Sequence, residues 1–422
     1  YLSWSSSEEQ KTNVTFTKGE GFSCSVNGGG NIAEGDVILM PTVVNDSTTS
    51  YYIKRTITVN PTITDSLLPI YMDLWLDINS LGTGVSNSLN FKYALTTSST
   101  SPTTGVVSSG NFNGKITGDK VNLLTSKEYT ATTTDTYYLW IWLDAEETSS
   151  DTMNQSFSLS LGGSCMNNVP ASKPDIKDGM IPVVISSNGI TSTISEDDAS
   201  WYNYNNKEWA NMVLVSDDSS RSTYQNTSGV VVSKDDILAY YVWIPRYKYR
   251  IWTTSNSSKG SEQEIDIIFE SKDTTKSTGT QVGEYITHPA FTFGDMEVNG
   301  IWVGKFETGG TATDPLIKPD ISSLRGQKVS EEFTTAQKFG TSTYGMTSNV
   351  DAHMMKNSEW GAVAYLSHSR YGVNREIYIN NSSGYYTGRS GGNVGGSTAI
   401  KTVYTNQTSK TQYNTYGFYT WD

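Results

Sequence analysis

The sequence predicts a mostly β chain with a minor α+β part: an antiparallel β-sandwich over residues 1–168, a linker at 169–175 and an α+β domain over 176–422. Three observations carry this. Period-two runs of β-branched and aromatic residues, bounded by Gly, Asn, Ser and Pro, recur through the first 168 residues. Pro170 and Pro174 then interrupt the chain. A convincing helical pattern occurs only after them, at Asp351–Leu366.

In order, the first strands are read at Thr12–Thr17, Tyr51–Val59, Ile70–Ile78, Phe91–Leu95, Tyr137–Leu143 and Gln155–Leu161. Within the third, Ile70, Met72, Leu74, Leu76 and Ile78 share a core face, and Tyr71, Asp73, Trp75 and Asp77 share a wet one. Cys24 and Cys165 each close a Ser/Gly-rich strand ending, and their bonding would close a loop of 141 residues (165 − 24). Such a bond is worth about 5 kcal/mol in the chain-entropy model. It fits an exported chain, as do the missing initiator methionine before Tyr1 and a Ser/Thr/Asn-rich composition with 17% charged residues.

A net charge of −13 argues against nucleic acid, whose phosphate contacts demand clustered Lys and Arg, so no nucleic-acid partner is expected. No apolar run reaches about 18 residues, so no membrane insertion is expected of the mature chain.

The second half opens with strands at Gly179–Ile185 and Met212–Val215. Between them Trp201–Asn211 reads as a tight hairpin with cross-strand aromatic pairs or as a sugar-stacking platform. Pro245, inside Tyr240–Ile251, marks a bulge or edge. A polar stretch at 253–261 leads to a strand at Glu264–Phe269. In the helix, Asp351 is the expected N-cap, Met354, Met355, Ser358, Val363 and Leu366 the stripe, and Gly372 the stop.

Two resemblances follow from particular words in the chain. Tyr1–Asn13, Trp142–Thr148 and Met153–Phe157 resemble the TasA and camelysin group of exported fibre proteins, which implies a jelly-roll-like sandwich and self-association. Trp302–Thr308, together with Glu359, Trp360, Ala362, Ala364 and Tyr365, is similar to the formylglycine-generating-enzyme superfamily. That resemblance spans about residues 180–422 and implies a C-type-lectin-like fold; independently of it, Trp360 and Trp302 are both read as core, with Trp360 anchoring the helix to the strand at Trp302. Enzymatic members use a copper-binding cysteine pair, and no cysteine follows Cys165. The chain is therefore expected not to be an enzyme. It also lacks the Gly-Asn-Val-Trp-Glu-Trp type of strand after the helix, so the second domain is expected to be incomplete at its C-terminus.

Other chemistry is sparse. His288, His353 and His368 are too scattered for a zinc motif, and His288, before Pro289, reads as a structural or surface residue. Carboxylates at Asp73/Asp77 and Asp197/Asp198 read as solvated charges. Asp144, Glu146, Glu147 and Asp151 form the one acidic loop that could take calcium, and no other cofactor is expected. The glycine-rich run 384–396 lacks the strand-to-helix context of a phosphate cradle and reads as a loop whose Tyr385, Tyr386 and Arg389 form a ligand-binding tip. Sequons at Asn13, Asn154, Asn226, Asn256, Asn381 and Asn406 do not establish glycosylation in so Ser/Thr-rich a chain.

The functional expectation is a non-enzymatic protein of the cell surface, a filament subunit that self-associates into a homopolymer by β-strand complementation. The donor strand is expected within residues 10–18, through Lys11, Asn13, Val14, Thr15, Phe16 and Thr17. The alternative is an adhesin that binds a glycan or host-surface ligand through the lectin-like domain.

Overall fold

The computed structural model describes residues 2–4, 13–19, 22–28, 37–44, 51–63, 70–166, 169–251, 264–279, 283–346 and 350–374, and the short strand pairs 381–382/385–386 and 412–413/419–420. Of residues 2–4, 13–19, 22, 37–38 and those strand pairs, only the backbone is described. The chain divides into two compact units, one of Tyr1–Pro170 with Asp197–Asn203, the other of Ala171–Glu196 with Tyr204–Asp422.

The first unit is a β-sandwich of two sheets. Its strands are β1 (Leu2–Trp4), β2 (Asn13–Gly19), β3 (Phe22–Asn27), β4 (Val37–Leu39), β5 (Tyr52–Ile63), β6 (Ile70–Leu81), β7 (Phe91–Thr96), β8 (Val106–Asn111), β9 (Lys120–Tyr129), β10 (Asp135–Leu143) and β11 (Gln155–Met166). One sheet has the order β4-β1-β11-β6-β9, the other β2-β3-β5-β10-β7-β8. A single turn of helix, α1 (Thr83–Ser86), follows β6.

Alternation builds the core as expected: Ile70, Met72, Leu74, Leu76 and Ile78 of β6 meet Tyr137, Leu139, Ile141 and Leu143 of β10 in one buried cluster. Each fully buried Leu or Ile here stabilises by about 1.5–3 kcal/mol. The opposite face of β6 is not simply wet. Asp73 is buried where the β6–β9 register shifts, and its Oδ1 accepts the Ser126 amide at 2.7 Å. The Trp75 indole donates to Asp77 Oδ1 at 3.1 Å and lies under the Lys120 ammonium, 4.1 Å from the ring centre. Opposite it stands Gly162, where a Cβ would come within 2.4 Å of the indole nitrogen.

The second unit is built on a five-stranded antiparallel sheet, β13-β12-β14-β15-β21, from β12 (Ile181–Ile185), β13 (Thr191–Thr193), β14 (Asn211–Val215), β15 (Ile237–Pro245) and β21 (Gly300–Gly304). Between β15 and β21 come β16 (Tyr247–Arg250), β17 (Asp266–Phe269) and β18 (Ile286–Thr287), a three-stranded sheet, and the hairpin of β19 (Thr292–Phe293) and β20 (Met296–Glu297). The five-stranded sheet contributes to two separate apolar clusters. One gathers Ile181, Val183, Val213, Val215, Ile237 and Tyr240, the other Met212, Leu214, Ala239, Ile317, Phe339 and Tyr344. Pro245 ends β15 and pairs with Gly300 at the strand terminus, where its missing N–H costs no ladder bond inside the strand.

Among the described residues this unit also has three α-helices: α2 (Asp218–Asn226), α3 (Val329–Gln337) and α4 (Asn357–Ser367). The start of α4 corrects the expected cap. Lys356, not Asp351, is the N-cap, and its amide donates to the Glu359 carboxylate at 2.7 Å. Turning Glu359 inward sets the buried face as Glu359, Ala362, Val363, Leu366 and Ser367. Trp360, one residue and about 100° further round the helix, is consequently 58% exposed rather than a core anchor, and Met354 is exposed as well. Trp302 packs against Trp243 instead, with ring centres 5.3 Å apart, and donates to the Asp175 carbonyl at 2.8 Å.

Candidate assembly site

Three features of the first unit stand out: the bond between its sheets, the state of its strand edges, and a strand inserted between two others. Cys24 on β3 and Cys165 on β11 are bonded, with Cα atoms 6.3 Å apart and 141 residues between them in sequence. Because β3 and β11 belong to different sheets, the bond crosses the core, and both cysteines are almost fully buried.

Strand β1 lies between β4 and β11. It pairs antiparallel with β4, Leu2 opposite Leu39, and parallel with β11, Leu2 opposite Gln155 and Trp4 opposite Phe157. The other described strand pairs of the sandwich are antiparallel, and parallel pairing recurs only as the single bridge between Thr42 and Asp144. Of the residues expected to donate a strand, Asn13, Val14, Thr15, Phe16 and Thr17 lie in β2, which forms a hairpin with β3 (Asn13 opposite Asn27, Phe16 opposite Cys24) at one edge of the six-stranded sheet. Lys11 lies outside the described residues.

The opposite edge, β8, is covered. Ala199 N donates to the Val107 carbonyl at 3.4 Å, Ser109 N donates to Asp198 Oδ2 at 3.1 Å, and Thr125 Oγ1 donates to the Ala199 carbonyl at 2.6 Å. Burial lifts the Asp198 carboxyl above its ordinary value even against the hydrogen bonds from Ser200 and Ser109. Asp198 is thus an edge cap rather than a solvated charge.

The acidic loop is folded on itself. Asp144 pairs with Lys92 at 3.1 Å and accepts the Glu146 amide at 3.1 Å. Burial works to raise the Asp144 pKa, but the Glu146 amide and Lys92 outweigh it and hold it low. Glu147 accepts from the Ser88 hydroxyl and from the Ser149 amide, and the Asp151 amide donates to Ser149 Oγ at 3.1 Å. Among the described residues no group of three or more His, Cys, Asp or Glu side chains is placed to hold a metal ion.

In the second unit the expected sites disperse. Tyr385 and Tyr386 form a short backbone pair with Asn381 and Ser382, their side chains are outside the description, and so is Arg389. Within Trp201–Asn211, Asn203 and Glu208 are bridge positions on either side of a tight turn, and Trp201, Tyr204 and Trp209 are buried rather than displayed as a platform. Tyr204–Asn206 is a single 3₁₀ turn, and Tyr204 packs edge-on against buried Trp209 with ring centres 5.0 Å apart. The expected linker is pinned, since the Ser172 carbonyl accepts from Trp243 Nε1 at 3.1 Å and Ser172 Oγ donates to the Asn299 carbonyl.

His288 is buried among Tyr247, Tyr249, Phe291 and Tyr365, and its Nδ1 accepts the Ala290 amide at 3.2 Å. Burial pushes its pKa down to about 4, so the ring is neutral. His353 and His368 stand at opposite ends of α4. His353 Nε2 lies 2.9 Å from Glu359 Oε1, and that bond raises its pKa. Between β15 and β16, fully buried Arg246 donates Nε to Glu270 Oε1 at 3.0 Å and Nη1 to Glu297. Burial works to raise the Glu297 pKa, yet its bonds to Arg246, Lys276 and Thr292 bring it down to about 2. This ion network went unread in the sequence because Arg246, Glu270 and Glu297 are far apart in the chain and carry no spacing signature.

No family model matches the chain, and no curated protein or solved structure matches it either.

Proposed function

We propose that this chain is a non-enzymatic structural protein of an extracellular surface, assembling into a filament by strand exchange between copies. The observation that carries the reading is the placement of Leu2–Trp4 in a slot between β4 and β11, in a parallel register with β11. A three-residue strand makes few ladder bonds, and an identical segment from a second copy would make the same ones, so exchange costs little beyond the release of the resident strand. Emptied, the slot presents unpaired N–H and C=O groups, which a neighbour's strand satisfies.

The cross-sheet disulfide supports an oxidising compartment. It also holds β3 and β11 together while the strand beside β11 is replaced. The absence of any cysteine after Cys165 supports a non-enzymatic role for the second unit. The segment favoured for exchange is Leu2–Trp4, upstream of the β2 stretch expected from the sequence.

The test is assembly of the full chain against a variant lacking residues 1–12, followed by negative-stain microscopy and size-exclusion chromatography. Polymers from the intact chain and monomers from the deletion are expected. Polymers of undiminished length from the deletion would sink the proposal.

A further inference from the structure

The second unit has no disulfide, yet two side chains in its central sheet are arranged as the reactants of a different covalent bond. Asn211 opens β14 and lies opposite Val242 of β15, which in turn lies opposite Val303 of β21. Lys305 is two residues beyond Val303, so it projects from the same face as Asn211. The two are separated by two strand spacings, about 10 Å, a gap that the lysine stem and the asparagine side chain close together. Lys305 Nζ lies 3.1 Å from Asn211 Oδ1. The carboxamide is held from its other end, Nδ2 donating to the Trp209 carbonyl at 2.9 Å. Lys305 is 2% exposed and Asn211 fully buried.

We propose that Lys305 and Asn211 are a modification site, joined after folding by an intramolecular isopeptide bond. Nζ attacks Cγ of Asn211, the Nζ–Cγ bond forms, and the Cγ–Nδ2 bond breaks. Nδ2 leaves as ammonia with the proton released from Nζ, and no oxidant or cofactor is consumed. Burial favours the nucleophile, because desolvation pushes the Lys305 ammonium well below its ordinary pKa, toward the neutral amine that carries the lone pair. Holding both groups in one geometry removes the entropic cost of bringing them together. The reaction also accounts for a choice that packing does not: Leu or Met would fill this space without the cost of desolvating an amine. Glu208, buried three residues before Asn211, is a carboxyl on the same approach to β14.

The experiment is an intact-mass measurement on the full chain, reduced and denatured, with peptide mapping. The expected mass is lower than the sequence mass by one ammonia, and digestion gives a branched peptide joining the Asn211 and Lys305 segments. Lys305→Met and Asn211→Ala are each expected to restore the sequence mass, a readout that does not depend on whether the variant folds. A full sequence mass for the intact chain overturns the proposal. So does an ammonia loss that persists in Lys305→Met, which would place it at a cyclised Asn-Gly step such as Asn299-Gly300.

Discussion

The sandwich and the second unit solve the same problem of cohesion with different chemistry. In the sandwich the buried cluster of residues from both sheets is apolar, a disulfide crosses it, and ion pairs such as Lys92–Asp144 and Lys120–Asp77 are partly solvated. The second unit has no disulfide and buries Arg246, Glu270, Lys305, Glu359 and Arg221. An apolar core tolerates sliding and repacking, whereas a buried ion must keep its partner in place or bear several kcal/mol of desolvation. The comparison teaches where each unit can yield: the sandwich at its strand edges, the second unit almost nowhere near Arg246.

The largest effect should come from the disulfide. Replacing Cys24 and Cys165 by Ser is expected to destabilise the sandwich by about 5 kcal/mol, read as a lower urea midpoint with faster hydrogen exchange confined to residues 1–166. Equal loosening of both units would break the contrast. Next, Glu270→Ala strips a carboxylate from fully buried Arg246 and is expected to cost about 3–5 kcal/mol, with exchange rising around β15–β17 and not in the sandwich. An unchanged midpoint would mean that Glu297 alone suffices for Arg246.

The smallest effect sharpens the contrast inside the second unit, where the two histidines have opposite signs. His288 falls from an ordinary 6.5 to about 4 in the fold. The unfolded chain therefore binds more protons between those values, and stability drops as pH falls through that window, by about 3 kcal/mol when complete. His353 is raised by Glu359. Its contribution is fully present below the unfolded value and is lost as pH rises through the folded one. Urea midpoints across pH 4 to 8 should show His288→Phe losing the acid-side decline and His353→Gln losing the neutral-side decline. Superimposable profiles for all three proteins would contradict both assignments.

What was legible in the sequence follows from these physical differences. Strand β11 alternates cleanly, β6 does so except at buried Asp73, and β10 sends Leu139, Ile141 and Leu143 to the core while Trp140 and Trp142 are buried on its other face; all three were readable to within a few residues. Strand β9 was missed because the shifts in its pairing with β6 break the period, leaving Val121 to Leu124 buried in succession. Helix α2 was missed because Asp-Ser-Ser-Arg-Ser-Thr-Tyr-Gln-Asn has weak helix propensity and buries Arg221 alone; its one signal is Asp217, which accepts the Ser220 amide at 2.7 Å. In α4 the helix was legible and so were Val363 and Leu366 of its buried face, whereas the inward turn of Glu359 and the outward turn of Trp360 run against what polarity implies. Strand β1 could not be read at all, being three residues long with a partner near residue 155.

The excursion of Asp197–Asn203 has a consequence for modularity. The chain leaves the sandwich unit after Pro170, builds 26 residues of the second unit, Ala171–Glu196, and returns for seven to cover β8 before leaving again. A gene fragment ending at the proline pair would therefore encode a sandwich with a bare Val106–Asn111 edge, open to any extended peptide it met. A single cut in the chain thus separates neither unit whole from the other.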